Sequence, residues 1–296
     1  MGDLILVAGA SGALGGRICK ALRDRGAEVR ALVRSSTDDK KIEKLEQQGV
    51  PIFQIDATNV AELTKACVGV SCVVSALQGL RDVIVDMQSL LLDAALAAGV
   101  PRFIPSDFAS DFTKLPAGLN RNFDLRREFM DHINKTPINA TSILNGAFAN
   151  LLNYNMPLLD FEKKRVGYWG SDDWRIDFTT MDDVATFTAA AALDHSTPRL
   201  LRIASFQVNP NELAAAAKQV TGNTFEVVRL GSLDELAAYN QRERAAHPEG
   251  EQEVYPTWQR SQYIHSMLSV QNDPLDNNRY PDIKWTTIQD VLANHR

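Results

Sequence analysis

Residues 4–15 read Leu4-Ile5-Leu6-Val7-Ala8-Gly9-Ala10-Ser11-Gly12-Ala13-Leu14-Gly15, an apolar strand that runs directly into three glycines spaced three apart. A helical pattern follows, and Gly26 is typical of a helix end. In such a strand–turn–helix unit the first glycine allows a sharp turn, the second lets a pyrophosphate approach the backbone, and the third lets the helix pack closely on the sheet. Free N–H groups and the macrodipole at the helix N-terminus then favour the phosphates. The stretch predicts a dinucleotide site rather than an ordinary glycine-rich turn.

The end of the second predicted strand indicates which dinucleotide is bound. Sites for NAD usually carry Asp or Glu about 20 residues past the last glycine, where the carboxylate holds the ribose 2′-hydroxyl. Arg34 stands there in this chain, and Lys41 and Lys44 follow it. A guanidinium suits a 2′-phosphate, so we expect NADP(H). The alternative is a solvated arginine at a strand end.

Composition limits the classes of function. The 296 residues are 45% hydrophobic and 23% charged, as in globular proteins, and the net charge of −6 gives no basic excess for nucleic acid. We expect no membrane span and no signal peptide, because no apolar run is long enough and no basic leader precedes the first strand. The three cysteines and five histidines lack metal-ligand spacing. These features predict a cytoplasmic protein without bound metal. They leave the oligomeric state open between a monomer and a homodimer.

Strand and helix patterns alternate through the first half of the chain. Regular alternation implies a parallel sheet with helices on both faces, and ligands bind at the carboxyl ends of such strands. We therefore expect an α/β fold: a Rossmann-type, doubly wound parallel sheet with a smaller, mixed α/β substrate-binding C-terminal region. Residues 1–150 are predicted to form the NAD(P)-binding domain, joined by a strand and helix from about 176–206. Residues 151–296 are predicted to form a discontinuous substrate-binding region, with a polar segment at 240–256 that is either a mobile loop or the margin of a lid. The predicted strands are 3–8, 28–33, 51–55, 71–76, 101–105 and 138–144, and the notable helices are 59–68, 82–98 and 121–134.

Three strings along the chain resemble those of a known family. Residues 100–108, Val-Pro-Arg-Phe-Ile-Pro-Ser-Asp-Phe, resemble the VKRFxPSEFG signature of the isoflavone reductase-like branch of the atypical short-chain dehydrogenases, within the NmrA-like superfamily. Residues 176–185 are similar to that family's segment before its conserved helix, and residues 279–287 to its YPDVKYTT ending. The resemblance implies NADPH-dependent reduction of phenylpropanoid-derived compounds such as isoflavones, lignans and phenylcoumaran ethers. Other NmrA-like proteins bind the cofactor and regulate partners.

The resemblance, together with the predicted strand ends, gives the candidate binding residues. Those for the cofactor are Gly9, Ser11, Gly12, Ala13, Leu14, Gly15, Arg34, Lys41, Ser75, Ala76, Ser106, Phe108 and Asn145. Those for the substrate are Gly146, Phe148, Tyr168 and Trp169. For the two aromatic residues Tyr168 and Trp169, which do not come from the resemblance, the alternative is core packing.

One position departs from the family pattern. Reductases of this branch place an acid–base lysine four residues ahead of an Arg-Arg pair; here the pair is Arg126-Arg127 and the matching residue is Asn122. Asparagine donates hydrogen bonds but does not exchange a proton near neutral pH, and the adjacent Arg121 offers a positive charge. Asn122 and Arg121 are the candidate catalytic residues, although Asn122 also suits a helix start. The sequence thus predicts an NADPH-dependent reductase of a small aromatic or conjugated carbonyl compound, with an NADP(H)-binding regulator without turnover as the alternative.

Overall fold

The computed structural model describes residues 2–56, 58–154 and 156–293, with the side chain of the candidate cation Lys44 outside that description. The described chain divides into two compact units. Unit 1 contains the described residues of Met1–Asp107, Leu125–Ile143 and Val184–Leu201. Unit 2 contains those of Phe108–Asp124, Leu144–Asp183 and Arg202–Arg296.

A parallel sheet forms the centre of unit 1. Within the described residues it has six strands in the order β3-β2-β1-β4-β5-β6, and every pairing along it is parallel. The apolar run at the start of the chain forms the middle strand, because a parallel strand covered on both faces must be hydrophobic throughout. This confirms the predicted Rossmann-type fold. The strands are β1 (Leu4–Ala8), β2 (Glu28–Arg34), β3 (Ile52–Ile55), β4 (Cys72–Ser75), β5 (Arg102–Ile104) and β6 (Asn139–Ala140).

Helices follow the strands of this sheet. Leu6, Phe103 and Phe129 belong to the apolar cluster of unit 1. The helix predicted at 82–98 starts as a π-helical segment, Asp82–Met87, where the Gln88 side chain donates to the carbonyl four residues back at 2.6 Å and competes with α-helical bonding. The helices are α1 (Ala13–Asp24), α2 (Asp39–Gln47), α3 (Val60–Cys67), α4 (Gln88–Ala97), α5 (Arg121–Ile133) and α6 (Met181–Leu193).

Unit 2 contains smaller sheets and its own apolar cluster. Its central strand, β10, pairs antiparallel with β12 and parallel with β8, while β13 pairs parallel with β9. The strands of this unit are β8 (Ala147–Phe148), β9 (Arg165–Trp169), β10 (Ile176–Thr179), β12 (Phe206–Val208) and β13 (Glu226–Gly231). Strands β7 (Ser142–Leu144) and β11 (Leu200–Arg202) have their first two residues in unit 1 and the last in unit 2. The remaining helices are α7 (Pro210–Thr221), α8 (Leu233–Ala246), α9 (Thr257–Met267) and α10 (Ile288–Ala293).

Two local expectations concern unit 2 and its boundary. Of the strands between 176 and 206, which were expected to join the Rossmann domain, β10 lies in unit 2 with β8 and β12 at its two edges, whereas the first two residues of β11 group with unit 1. Helix α6 does group with unit 1 from Val184 onward. The segment predicted as a loop at 240–256 contains the end of α8, which a capping box starts at Ser232, and a 3-10 turn, Pro248–Gln252. None of the helices in the described part of the chain has the length and apolarity that a membrane crossing requires.

Candidate functional site

The turn between β1 and α1 leaves no room for side chains at two glycines. Gly9 has φ +78°, and a Cβ there would lie 2.6 Å from the Ala76 carbonyl oxygen. A Cβ on Gly15 would lie 2.2 Å from the Gly9 carbonyl oxygen. Gly9 thus allows the sharp turn, and Gly15 lets α1 start directly against it.

The N-terminus of α1 is open to an anion. Gly12 caps the helix without a side chain, its own N–H donates to the Gly9 carbonyl oxygen at 2.9 Å, and the first helical turn carries no acidic residue. Gly12 and Ala13 are exposed, whereas Ser11 and Leu14 are half-buried. An uncapped helix start leaves backbone N–H groups without intrahelical partners, and the macrodipole adds positive potential there. This geometry can hold a pyrophosphate.

Arg34 lies at the same edge of the sheet as the glycine turn. Strand β2 runs parallel to β1 with Ala8 opposite Leu32, and Arg34 follows two residues later. Its side chain is exposed, as is that of Lys41 on α2. Unit 1 therefore presents an exposed guanidinium on the strand next to the phosphate turn.

Two of the candidate serines of unit 1, Ser75 and Ser106, differ in their bonding. Ser75 pairs with Ala8 across the sheet, is fully buried, and its Oγ has no hydrogen-bond partner among the described residues. Because an orphaned buried hydroxyl is costly, it marks a point where a ligand or water completes the bonding. The Ser106 Oγ instead donates to the Leu77 carbonyl oxygen at 2.6 Å, and the Ser106 N–H donates to Gln88 Oε1 at 3.0 Å. Ser106 thus ties β5 to the segment after β4.

A buried carboxylate that the sequence analysis did not assign follows Ser106. Asp107 is fully buried, and Ser142 Oγ donates to its Oδ2 at 2.5 Å. Burial raises the pKa of Asp107, while the Ser142 hydrogen bond and the charges of Arg126 and Arg199 act in the opposite direction. Arg199 also donates to Ser142 Oγ at 2.7 Å. The position of Asp107 inside the family-like string was the one signal that could have drawn attention to it.

Asn145 and Gly146 form the turn between β7 and β8 in unit 2. Gly146 has φ +64°, and a Cβ there would lie 2.4 Å from the Asp177 Cβ. Thr179 Oγ1 donates to the Asn145 carbonyl oxygen at 2.6 Å, so β10 fixes this turn from two positions. The Asn145 side chain is fully buried and its Oδ1 has no partner among the described residues. A ligand or a water must complete the bonding of that amide oxygen.

The other candidate residues of unit 2 lie on separate elements. Phe148 pairs with Thr179 on β10 and is half-buried, and Phe108 is buried. Tyr168 and Trp169 lie on β9, in a different sheet, and Trp169 packs against the apolar cluster of unit 2. For Trp169 the structure therefore provides the core-packing role that was the alternative.

Asp177, which supports Gly146, makes the stability of unit 2 depend on pH. Its carboxylate accepts from Gln207 Nε2 and from the Asn272 N–H, both at 2.7 Å, but burial raises its pKa to about 6. A carboxyl with a folded pKa above its unfolded value stabilises the protein below the unfolded pKa, and that stability is lost as the pH rises through the folded pKa. Asp177→Asn stays uncharged, so between pH 4 and pH 7 we expect its free energy of unfolding to gain about 2 kcal/mol relative to wild type. Urea unfolding at a series of pH values measures this, and a constant difference would contradict it.

Arg121 and Asn122 hold a loop in place at the start of α5. The Arg121 guanidinium donates to the carbonyl oxygens of Glu253 at 2.8 Å, Gly250 at 3.2 Å and Val254 at 3.2 Å. It also stacks on the Trp258 ring at 4.7 Å and lies 3.4 Å from the Glu251 carboxylate. Arg121 is 8% exposed, so this is a buried clamp on residues 250–254. Burial lowers the pKa of Arg121, while Glu251 raises it and Arg244 opposes Glu251.

The Asn122 amide is committed to neighbours in unit 2. Its Oδ1 accepts from Arg121 Nε at 3.0 Å, and its Nδ2 donates to the Val254 carbonyl oxygen at 3.0 Å and to the Tyr263 hydroxyl at 3.1 Å. The sequence analysis missed Tyr263, because 141 positions separate it from Asn122 and no local spacing connects them. Within the described part of the chain, no group of three or more His, Cys, Asp or Glu side chains is arranged to hold a metal ion.

Comparisons with known proteins agree with this architecture. Pinoresinol reductase 1 of Arabidopsis thaliana is 28% identical over 314 residues, covering 97% of this chain and 95% of the relative. The crystal structure of isoflavone reductase superimposes with a TM-score of 0.82 at 22% identity, covering 99% of each chain. The structure of AtPrR2 with NADP+ and (+)-pinoresinol gives a TM-score of 0.80 at 24% identity, covering 100% of this chain and 99% of that one. The model of the NmrA-like family matches residues 1–252, and the chain belongs to that family.

Proposed function

We propose that this protein is an NADPH-dependent reductase of a small aromatic or conjugated carbonyl compound, of phenylpropanoid type. The observation that carries the proposal is the glycine turn with its open helix N-terminus, beside a strand that ends in an exposed arginine. A relative at 28% identity over almost the whole chain is named for the reduction of pinoresinol, which supports the same reaction class.

The residues present fit an NADPH molecule. Gly12 leaves the helix start bare for the pyrophosphate, and Arg34 and Lys41 would hold the 2′-phosphate. The unpartnered Ser75 hydroxyl, also in unit 1, would add a polar contact. NADPH, when bound, supplies a hydride. Conjugated acceptors suit this chemistry, because the charge that develops on their oxygen is stabilised by hydrogen bonds or a nearby cation.

Turnover with a panel of acceptors tests the proposal. The purified protein is mixed with NADPH and with pinoresinol, cinnamaldehyde, chalcone, 1,4-naphthoquinone, a flavonoid or a cationic triarylmethane dye, and absorbance at 340 nm is followed, or that of the dye. NADPH loss above the protein-free rate with at least one acceptor is expected. If NADPH is oxidised with none of these acceptors, the proposed reductase activity is contradicted.

One observation favours a second candidate, an NADP(H)-binding regulator without turnover. The Arg121 and Asn122 side chains make their hydrogen bonds to each other, to loop 250–254 and to Tyr263. Few of their donor and acceptor atoms therefore remain for a substrate. A regulator would bind NADPH tightly, as measured by the change in cofactor fluorescence, and would oxidise it with none of the acceptors.

Arg34→Asp is expected to reverse the cofactor preference. Replacing the cation by a carboxylate removes a charge-assisted contact to the 2′-phosphate and adds repulsion, so NADPH affinity should fall about 10- to 100-fold while NADH affinity is retained or improved. Fluorescence titration with both cofactors gives the ratio. Arg25→Asp, at the far end of α1, is the matched control and should leave both affinities within about twofold. Unchanged NADPH binding in Arg34→Asp would remove Arg34 from the site.

A further inference from the structure

The amide of Gln88, inside unit 1, joins a helix to the end of a strand. Its side chain is fully buried. The Nε2 donates to the Ile84 carbonyl oxygen at 2.6 Å, and the Oε1 accepts from the Ser106 N–H at 3.0 Å, two residues past β5. Gln88 is the first residue of α4, directly after the π-helical segment Asp82–Met87. Because π-helical turns occur frequently at functional sites, we examined where this hydrogen bond leads.

Ser106 connects Gln88 to the segment that follows β4. The Ser106 hydroxyl donates to the Leu77 carbonyl oxygen at 2.6 Å. The preceding residue, Ala76, has its carbonyl oxygen 2.6 Å from the place that a Cβ on Gly9 would occupy. Gln88 is therefore linked to the glycine turn by two hydrogen bonds and one close backbone contact, all within unit 1.

The strand order indicates which half of the cofactor this segment serves. In the sheet of unit 1, β2 lies on one side of β1, and β4 and β5 lie on the other. A dinucleotide lies across the carboxyl ends of such strands, with its pyrophosphate at the turn after the first strand. Since the adenosine 2′-phosphate is assigned to Arg34 on β2, the nicotinamide half would extend over β4 and β5. The buried, unpartnered hydroxyl of Ser75 lies at that end of β4.

We propose that Gln88 is a positioning residue for the nicotinamide half of NADPH. The proposal rests on the cofactor site of the proposed function. Because Gln88 is fully buried, it acts through Ser106, whose hydroxyl fixes residues 75–77 against the glycine turn. Loss of the Gln88 amide would let this segment move and misplace the Ser75 hydroxyl. The contacts of Arg34 with the adenosine half would remain.

Two ligands separate the halves of the site: NADPH, and 2′,5′-ADP, which has no nicotinamide. Gln88→Met fills the same space without the two hydrogen bonds, so we expect the Kd of NADPH to rise about 10- to 30-fold and that of 2′,5′-ADP less than about twofold. Isothermal titration calorimetry measures both. Ser89→Ala is the matched control, because the Ser89 hydroxyl also bonds a carbonyl oxygen four residues back, that of Val85 at 2.7 Å, but its other neighbour is His132. It should keep both constants within about twofold.

A second set of variants tests the link through Ser106. Ser106→Ala removes the hydrogen bond to Leu77 and should raise the Kd of NADPH about tenfold, and adding Gln88→Met should raise it less than about threefold further, because both act through one chain of contacts. Gln88→Asn, whose amide is one methylene too short for both bonds, replaces Gln88→Met where the latter does not fold.

Three results would overturn the proposal and leave the reductase intact. They are equal losses of affinity for the two ligands, unchanged NADPH binding in Ser106→Ala, and full additivity of the two substitutions. A wild type that binds no NADPH would instead refute the proposed function.

Discussion

Gly15→Ala is expected to weaken NADPH binding by about 100-fold and to lower the free energy of unfolding by about 1–3 kcal/mol. The new Cβ would lie 2.2 Å from the Gly9 carbonyl oxygen and 2.8 Å from its carbonyl carbon. Both are backbone atoms, so they cannot rotate away, and the turn itself must move. Because the same turn aims the N–H groups of α1, its displacement should remove the phosphate site.

The adjacent glycine provides the control for this substitution. A Cβ on Gly16 would meet nothing closer than the Ala10 carbonyl oxygen at 3.4 Å, which is an ordinary contact. Gly16→Ala should therefore keep NADPH affinity and gain about 0.5–1 kcal/mol from better helix propensity. Fluorescence titration and thermal unfolding of both variants measure the contrast. Equal affinities for NADPH would mean that the turn does not hold the cofactor.

Arg121→Met is expected to destabilise the protein by about 3–5 kcal/mol. The substitution keeps a long apolar stem but removes the donors to the carbonyl oxygens of residues 250–254 and leaves the Glu251 carboxylate with one partner fewer. A buried carbonyl oxygen that loses its hydrogen-bond donor remains desolvated without a compensating hydrogen bond, which destabilises the folded state. Urea unfolding followed by tryptophan fluorescence reports the change, since Trp258 lies under the guanidinium.

Arg244 offers a matched comparison for Arg121. It also stacks on Trp258, at 5.1 Å, and pairs with Glu251 at 2.6 Å, but about a third of its side chain is exposed. Arg244→Met should therefore cost less than about 1 kcal/mol. A similar loss in the two variants would show that charge, rather than the clamp on the loop carbonyls, stabilises this region.

The sheet of unit 1 was predictable because its signals are local. The apolar run before Gly9 is typical of a central parallel strand. At each glycine of the turn, a Cβ would lie close to a backbone carbonyl oxygen. The strand that ends in Arg34 was placed correctly for the same reason, since alternation and strand length are read over a few residues. NmrA-like membership is confirmed by a family model over residues 1–252.

The candidate active-site residues depend on contacts that the sequence does not encode locally. Asn122 could be matched by position, but its bonds to Val254 and Tyr263 join residues more than 130 positions apart. The polar segment at 240–256 was mistaken for a loop, because its charges outweigh the helix signal until the capping box at Ser232 is considered. The membership of β10 in a separate sheet likewise depends on strands β8 and β12, whose two or three residues carry almost no pattern of their own.

The central place of β1 has a consequence for synthesis on the ribosome. Ile5 pairs with Val29 on one side but with Cys72 on the other, so one edge of β1 stays open until the chain from Ile5 to Cys72 has been made. An open apolar edge invites pairing with another chain. The nascent protein is thus most exposed to aggregation between the synthesis of β1 and that of β4, and protection by chaperones matters most in that interval.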